Sequence, residues 1–453
     1  MIANLHPYPE YKESGLPWVG RMPAHWSQRR MKFLFRERVQ KGFPNEPLLA
    51  ATQTKGVVRK EDYGERTVTV TKDFHLLKLV ETGDFVISLR SFEGGIEVAH
   101  YRGIISPAYT VLAPRPEVRG SYYTRFFKSP DFIRSLTLFV TGIREGQNID
   151  YERLSRAYMP LPPADEQDLT GRFLDYANGR LERAIRAKRK VIALLHEQKQ
   201  AIIHRAVTRG LDPTVPLKPS GIPWLGDIPQ HWEMIPARHL FRAVTRRDIQ
   251  GDEPKMSVTQ KHGLVPTSEM QENSTQAQSF DRFQLCHPDD LVLNKYKAHL
   301  GVFWAATRRG LITPNYTVFR PARKLSTKFF EYLFHTQVYR DAFSMVVYGV
   351  IEGMCPLYTQ DFYRIPCAFP PCEEQIQIVD ALVNMTKPED TAINRLEREI
   401  ELLREYRTRL VADVVTGKLD VRPAARHLPA ESLAPEPAPD PEELAEPETE
   451  ETA

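Results

Sequence analysis

Apolar residues follow two alternating regimes along this chain. Short β-type runs, Thr67-Val68-Thr69-Val70, Phe85-Val86-Ile87-Ser88 and Thr317-Val318-Phe319, are bounded by Gly and Pro turn signals. Helical stretches such as 122–128 and 328–336 interrupt them. These segments fill residues 27–160 and 233–368, which the pattern predicts as α+β domains with a curved sheet. Residues 162–211 and 370–421 carry a three-and-four spacing instead. It runs through Ile185, Ile192, Leu195 and Ile202 in the first, and through Ile393, Leu396, Ile400, Leu403, Tyr406, Leu410 and Val414 in the second. Prolines followed by acidic residues, as in Pro162-Pro163-Ala164-Asp165-Glu166-Gln167, open a helix. Asn178-Gly179 and Pro388 predict a break in each region, leaving a long helix of about 28 residues, roughly 42 Å.

The pattern is written twice. Ser14-Gly15-Leu16-Pro17-Trp18-Val19-Gly20-Arg21-Met22-Pro23-Ala24-His25-Trp26 returns as Ser220-Gly221-Ile222-Pro223-Trp224-Leu225-Gly226-Asp227-Ile228-Pro229-Gln230-His231-Trp232, with eight of 13 positions identical. The register continues at an offset of 206 to 208 residues through Asp84-Phe85-Val86-Ile87 and Asp290-Leu291-Val292-Leu293, through Gly95 and Gly301, and through Glu166-Gln167 and Glu374-Gln375. Thr208 with Leu211-Asp212 and Thr416 with Leu419-Asp420 close it. Between these anchors most residues differ, so one scaffold is kept while its surface diverges.

Chain order then constrains topology. Each globular part feeds a long helix, so pairing of the two heptad stripes makes them antiparallel. The Pro-Trp motif follows the first helix but not the second; its partner is residues 14–26. The arrangement is cyclic, with the N-terminal segment packed where the second helix ends. The expected fold is α+β: two tandem-repeated α/β domains separated by two long antiparallel helices, a coiled-coil spacer with pseudo-two-fold symmetry. The boundaries are 1–161 and 212–369 for the domains, 162–211 and 370–421 for the helical regions, and 422–453 for a tail.

Charge changes the picture at that tail. Residues 429–453 hold nine acidic and no basic residues, and are rich in Pro and Ala. Such a segment lacks the apolar residues to fold and is expected to be disordered. Without it, 61 basic residues face 49 acidic ones, and a basic body suits a polyanion partner. No apolar run reaches 18 residues and the polar start is no signal peptide, so neither a membrane nor an export route is expected. Cys286, Cys355, Cys367 and Cys372 lack C-x-x-C spacing and read as reduced thiols in the cytoplasm, with no metal site.

Catalytic patterns are not met. Ser106-Pro107-Ala108-Tyr109 and Thr313-Pro314-Asn315-Tyr316 look like the Pro-Pro-Tyr loop of amino-group DNA methyltransferases, but no glycine-rich site for a methyl donor accompanies them. Prolines leading into a strand are the better reading. Thr416-Gly417-Lys418 lacks the upstream glycine of a phosphate loop, and Asp290 lacks the second carboxylate of a nuclease element. His25-Trp26 and His231-Trp232 read as aromatic anchors that pin helix ends. Basic, polar and aromatic residues do recur in corresponding loops: Gln53, Lys55, Arg59 and Lys60 with Gln260, Lys261 and His262, then Arg90 and Ser91 with Lys295, Tyr296 and Lys297. Arg144 sits in a Gly-bounded turn. Arg and Lys neutralise phosphate or pair with guanine, and Gln suits adenine, so these are the candidate DNA-binding residues.

Taken together, the paired Gly-x-Pro-Trp-x-Gly-x-x-Pro-x-His-Trp elements, the Asp-Phe-Val-Ile and Asp-Leu-Val-Leu strands, Gly142-Ile143-Arg144-Glu145-Gly146-Gln147-Asn148 and the Pro-Pro-x-x-Glu-Gln helix starts resemble the specificity (S) subunit of type I restriction–modification enzymes. The resemblance covers the chain to about residue 421; only the acidic tail departs from it. It implies two target-recognition domains, each reading one half of a split site in double-stranded DNA. The helices, along Ile185, Ile192, Leu195, Ile202, Ile393, Ile400, Leu403 and Leu410, would set the spacing and dock two modification (methyltransferase) subunits. S-adenosylmethionine, ATP and Mg would be used by those and by the restriction subunits, with no cofactor bound by this non-catalytic chain. The alternative is a DNA methyltransferase or nuclease with unrecognised motifs.

Overall fold

The computed structural model describes residues 5–16, 18–53, 55–63, 73–88, 91–141, 148–247, 253–259, 263–269, 283–347 and 356–429. The chain forms two compact units. Among the described residues, the first combines those up to Lys188 with those from Glu397 to Pro429, and the second is built from Arg189–Leu396.

In the first unit a four-stranded antiparallel sheet has the spatial order Phe35–Glu37, Thr110–Pro114, Phe85–Ile87, Glu97–Val98. Phe85, Val86 and Ile87 are all buried because the sheet is covered on both faces. Successive side chains point to opposite sides of a strand. Phe85, Ile87 and Leu112 therefore enter one core with Tyr122, Tyr123, Phe126 and Phe127 of the helix Gly120–Phe127. Val86 and Val111 enter a second core with Leu49, Val57, Val80 and Ile105. Pro107 lies in the turn that leads into Thr110–Pro114, as the sequence suggests. The run Thr67-Val68-Thr69-Val70 lies outside the described residues.

The second unit repeats this plan with different side chains. Its sheet has the order Phe241–Val244, Tyr316–Pro321, Leu291–Asn294, Phe303–Ala305. Leu291, Leu293 and Phe319 face the aromatic helix Thr327–His335, and Val292 and Val318 face Met256, Val258 and Ile312. At the end of that helix, His335 bonds the Phe303 carbonyl at 2.8 Å. Burial pushes its imidazole down to about 4 from the ordinary 6.5. The unfolded chain takes up this proton near pH 6.5 and the folded one refuses it until about pH 4. Stability is therefore lost as pH falls through that window, by about 3 kcal/mol in all. Denaturant titrations of His335→Gln should show a shallower loss between pH 6.5 and 4 than the parent chain; equal slopes would refute the assignment.

The helical regions differ from expectation. Ala164–Arg209 and Cys372–Val415 are single helices of 46 and 44 residues, running through Asn178-Gly179 and Pro388 without a break. An interior Gly costs about 1 kcal/mol and a Pro about 3. Burial of Phe173, Leu174, Leu181 and Ile185 around the first, and of Ile378, Leu382 and Ile393 around the second, outweighs this at about 1.5–3 kcal/mol per side chain. In the first unit Glu182 pairs with Arg407 at 3.2 Å and Lys188 with Glu399 at 2.5 Å, so the two segments run antiparallel. In the second, Lys199 meets Asp390 at 2.5 Å, while Ile203 and Val207 share a core with Ile378 and Leu382, again antiparallel.

The stripe is legible but imperfect. Ile185, Ile393, Ile400 and Leu410 are buried, whereas Ile192, Leu195, Ile202 and Leu403 are half-buried. Ile203 takes the inward position beside Ile202, and Tyr406 is 41% exposed.

The cyclic arrangement is present. Asp420 N donates to the His6 carbonyl at 2.8 Å and Tyr11 Oη to the Lys418 carbonyl at 3.0 Å. Gly417, which ends the second helix with φ of 79°, lies so close to Pro23 and Trp26 that a Cβ would clash with both. Its counterpart Gly210, with φ of 75°, ends the first helix against Pro229 and Trp232. The tail also begins later than expected. Arg422–Arg426 is helical, with Val421 and Ala425 buried in the first unit's core, so the chain is folded to Pro429.

Candidate nucleic-acid interface

The Pro-Trp segments act as anchors, and the reason lies in the helix starts. Trp26 and Trp232 are fully buried. Trp26 Nε1 donates to Glu166 at 2.8 Å and Trp232 Nε1 to Glu374 at 3.1 Å. His25 and His231 reach the same two carboxylates at 2.8 and 2.7 Å. The aspartates of the duplicated strands are structural as well. Asp84 receives a two-pronged contact from Arg38 (2.7 and 3.1 Å), and Asp290 one from Arg246 (2.5 and 3.3 Å). Each also caps the backbone three residues upstream. Asp290 is thus committed to a buried ion pair with Arg246.

The hairpin that carries Gln53 shares its Thr–Gly bond with its counterpart in the second unit. In the first unit the hairpin Leu49–Thr52 and Gly56–Arg59 is closed by Thr52 Oγ1, which donates to the Gly56 carbonyl (2.9 Å) and accepts from Lys55 N (2.9 Å). In the second, Thr259 Oγ1 donates to the Gly263 carbonyl at 3.1 Å in the hairpin Met256–Thr259 and Gly263–Pro266. Gly56 and Gly263 have φ of 77° and 81°, which side chains with a Cβ avoid. The Thr and Gly that flank the three intervening residues are therefore held alike in both units.

Gln53 and Lys55 are exposed on this turn. Arg59 is exposed at the strand end, 4.9 Å from the Tyr101 ring centroid and 3.9 Å from Glu61, and Lys60 is half-buried. Ser91 does not fit the expectation. It is 1% exposed and its Oγ accepts from Ser88 N at 2.8 Å, so it shapes the loop and offers DNA no surface. In the second unit Lys295, Tyr296 and Lys297 form the half-buried start of the turn of helix Lys295–Leu300. Asn294 caps Tyr296 N at 3.1 Å, and Lys295 Nζ donates to the Pro314 carbonyl at 3.1 Å. Arg90, Arg144, Gln260, Lys261 and His262 lie outside the described residues.

Two residues missed in the sequence bring the first unit's loops together. Lys128 Nζ donates to the carbonyls of Gln53 (3.0 Å) and Gly94 (2.7 Å) and pairs with the Glu97 carboxylate. One ammonium thus ties the Gln53 turn to the short helix Ser91–Gly94. Glu97 is 2% exposed, and burial raises its carboxyl pKa although Lys128 opposes the shift. No local pattern marks the pair, since its members lie 31 residues apart.

No protein-family model matches the chain, and no curated protein matches it. Solved structures do. A chain from the structure of a type I R-M system, solved to explain complex assembly and conformational transition, is similar over 87% of this chain and 98% of its own, at 14% identity with a TM-score of 0.59. This chain has the fold of a type I R-M subunit. The HsdS subunit from Thermoanaerobacter tengcongensis is similar over 88% of this chain and 98% of its own, at 14% identity and a TM-score of 0.46. The type I restriction–modification S subunit from M. genitalium matches 86% of this chain and 96% of its own, at 12% identity and a TM-score of 0.31. Among the described residues no helix is long and apolar enough to cross a membrane.

Proposed function

We propose that this chain is the DNA sequence-specificity subunit of a type I restriction–modification complex, and performs no chemistry itself. Each unit reads one half of a bipartite asymmetric site in double-stranded DNA. The long helices set the spacing and dock two modification subunits, which methylate adenine with S-adenosylmethionine. Restriction subunits supply ATP- and Mg-dependent translocation and cleavage. The observation that supports this reading is the duplicated hairpin: the same Thr–Gly hydrogen bond holds it in both units, while the sequence between Thr and Gly differs at two of three positions. A constant frame with variable contents is what two different half-sites require, because base contacts specify and the frame only positions.

The test is the methylome of a host expressing this chain with its modification partner. One bipartite adenine-methylated motif is expected. Replacing residues 27–160 by the corresponding domain of another type I subunit should change one half of that motif and leave the other intact. A change in both halves, or methylation indifferent to sequence, would overturn the reading.

A further inference from the structure

A cleft of about 510 Å³ opens on the first unit beside the paired strands Ser27–Arg30 and Tyr158–Leu161. Its walls carry Arg29, Arg30 and Arg115, the exposed rings of Phe33 and Tyr158, and Glu117. Arg29 reaches Glu117 at 3.2 Å yet stays 56% exposed, and Arg30 lies 5.4 Å from the Tyr158 ring centroid. Three guanidinium groups against one carboxylate leave a positive surplus. Guanidinium forks bind carboxylates in a two-pronged geometry, and aromatic walls suit proline-rich segments.

The scaffold does not require this charge. In the second unit Glu233–Pro236 and Pro366–Phe369 pair in the same way, but Pro236 opposite Pro366 stands where Arg30 opposes Tyr158, and Ile235 stands for Arg29. Arg115 N donates to the Leu34 carbonyl at 2.9 Å as Ala322 N does to Leu240 at 2.8 Å, so Ala322 stands for Arg115. One fold has the arginines in one copy only.

That copy is also where the acidic tail begins. Arg172 Nη2 donates to the carbonyls of Leu428 and Pro429, both at 2.9 Å. One helical turn earlier Asp168 pairs with Arg119 at 3.2 Å, and Arg119 Nη1 donates to the carbonyl of Pro116 at 3.0 Å, on the cleft wall. Beyond Pro429 come 24 residues with nine acidic side chains, five prolines and no Lys or Arg. An unrestrained chain of 24 residues would have a mean reach of about 27 Å.

We propose that residues 430–453 dock in the arginine cleft of the first unit, acting in cis as a polyanion that shields it. Carboxylates of the tail pair with Arg29, Arg30 and Arg115, and its prolines lie on Phe33 and Tyr158. Tethering holds the tail at an effective concentration on the order of millimolar, so an external acidic ligand has to displace it.

The probe is a fluorescein-labelled peptide of residues 430–453, followed by anisotropy in low salt. A chain ended after Pro429 should bind it, and the full chain should bind it at least about tenfold more weakly because its own tail competes. The full chain with all nine tail acids changed to amides should bind like the shortened one. Arg29→Ser, Arg30→Ser and Arg115→Ser together should weaken binding to the shortened chain by at least about tenfold, while three Arg→Lys changes should cost less. All three arginines are exposed, so circular dichroism should be unchanged. Equal binding by full and shortened chains, or indifference to the serine variant, overturns the proposal. Loss of duplex DNA affinity in the serine variant with no peptide binding overturns it too, and makes the cleft a nucleic-acid contact.

Discussion

Glu166→Ala is expected to destabilise the first unit by about 3–5 kcal/mol. The carboxylate is 2% exposed and receives the Tyr8 hydroxyl at 2.5 Å, Trp26 Nε1 at 2.8 Å and His25 Nε2 at 2.8 Å, with the Arg422 guanidinium at 3.9 Å. Hydrogen bonds to a charged group are worth about 1.5–3 kcal/mol, and each donor left buried without a partner costs about 1–3. Tyr8 does not substitute for the lost anion: apart from Glu166 itself, burial and then Asp420 raise its phenol above the ordinary pKa, so it remains a donor. The equivalent Glu374 receives two bonds and is 24% exposed, so Glu374→Ala should cost less, about 1–2 kcal/mol. Differential scanning calorimetry should show a fall of about 10 °C for the first variant, given about 2–4 °C per kcal/mol in domains of this size. Equal effects at both glutamates would disprove the ranking.

Lys128→Met carries the second large effect, and it acts on two readouts. Glu97 is left as a buried carboxylate without its counter-charge, which costs about 3–5 kcal/mol near neutral pH. Its pKa is already raised by burial, so in the variant it takes up a proton. A carboxyl raised above its unfolded value favours the fold below that value and loses this contribution as pH rises. The deficit of Lys128→Met should therefore shrink on going from pH 7 to pH 5. The Gln53 carbonyl loses its tie at the same time, so under the proposed function discrimination at the half-site assigned to the first unit should weaken. The other half-site should be unaffected. Adding Glu97→Gln should restore most of the stability without restoring discrimination. Recovery of both would reduce Lys128 to a purely structural role, and unaltered discrimination in Lys128→Met would remove it from the reading turn.

The parts of this fold that were legible in the sequence are those where one local rule dominates. The repeated Pro-Trp segment, the antiparallel pairing and the cyclic packing follow from spacing and chain order. The strand Phe85–Ile87 follows from a short apolar run. Asn178-Gly179 and Pro388 misled because propensity is a penalty of a few kcal/mol, and burial of one apolar stripe exceeds it. The tail was placed too early at residue 422 because Val421 and Ala425 are two small apolar residues among charges, and only the core they enter reveals their role. Ser91 was assigned to the surface because a serine in a turn reads alike whether it faces solvent or caps the backbone. The knots at Glu166 and Lys128 join residues far apart in the chain, and no window of neighbours contains them.

That the first unit needs residues on both sides of the second has a consequence for biosynthesis. On the ribosome the second unit has all its described residues once Leu396 has emerged. The first then still lacks Leu410, Val414, Val415, Val421 and Ala425 from its core and Arg422 from its buried cluster. Its aromatic sheet must wait, partly assembled, until the final turns of helix arrive. Among its described residues, the nascent chain therefore completes its middle before its beginning.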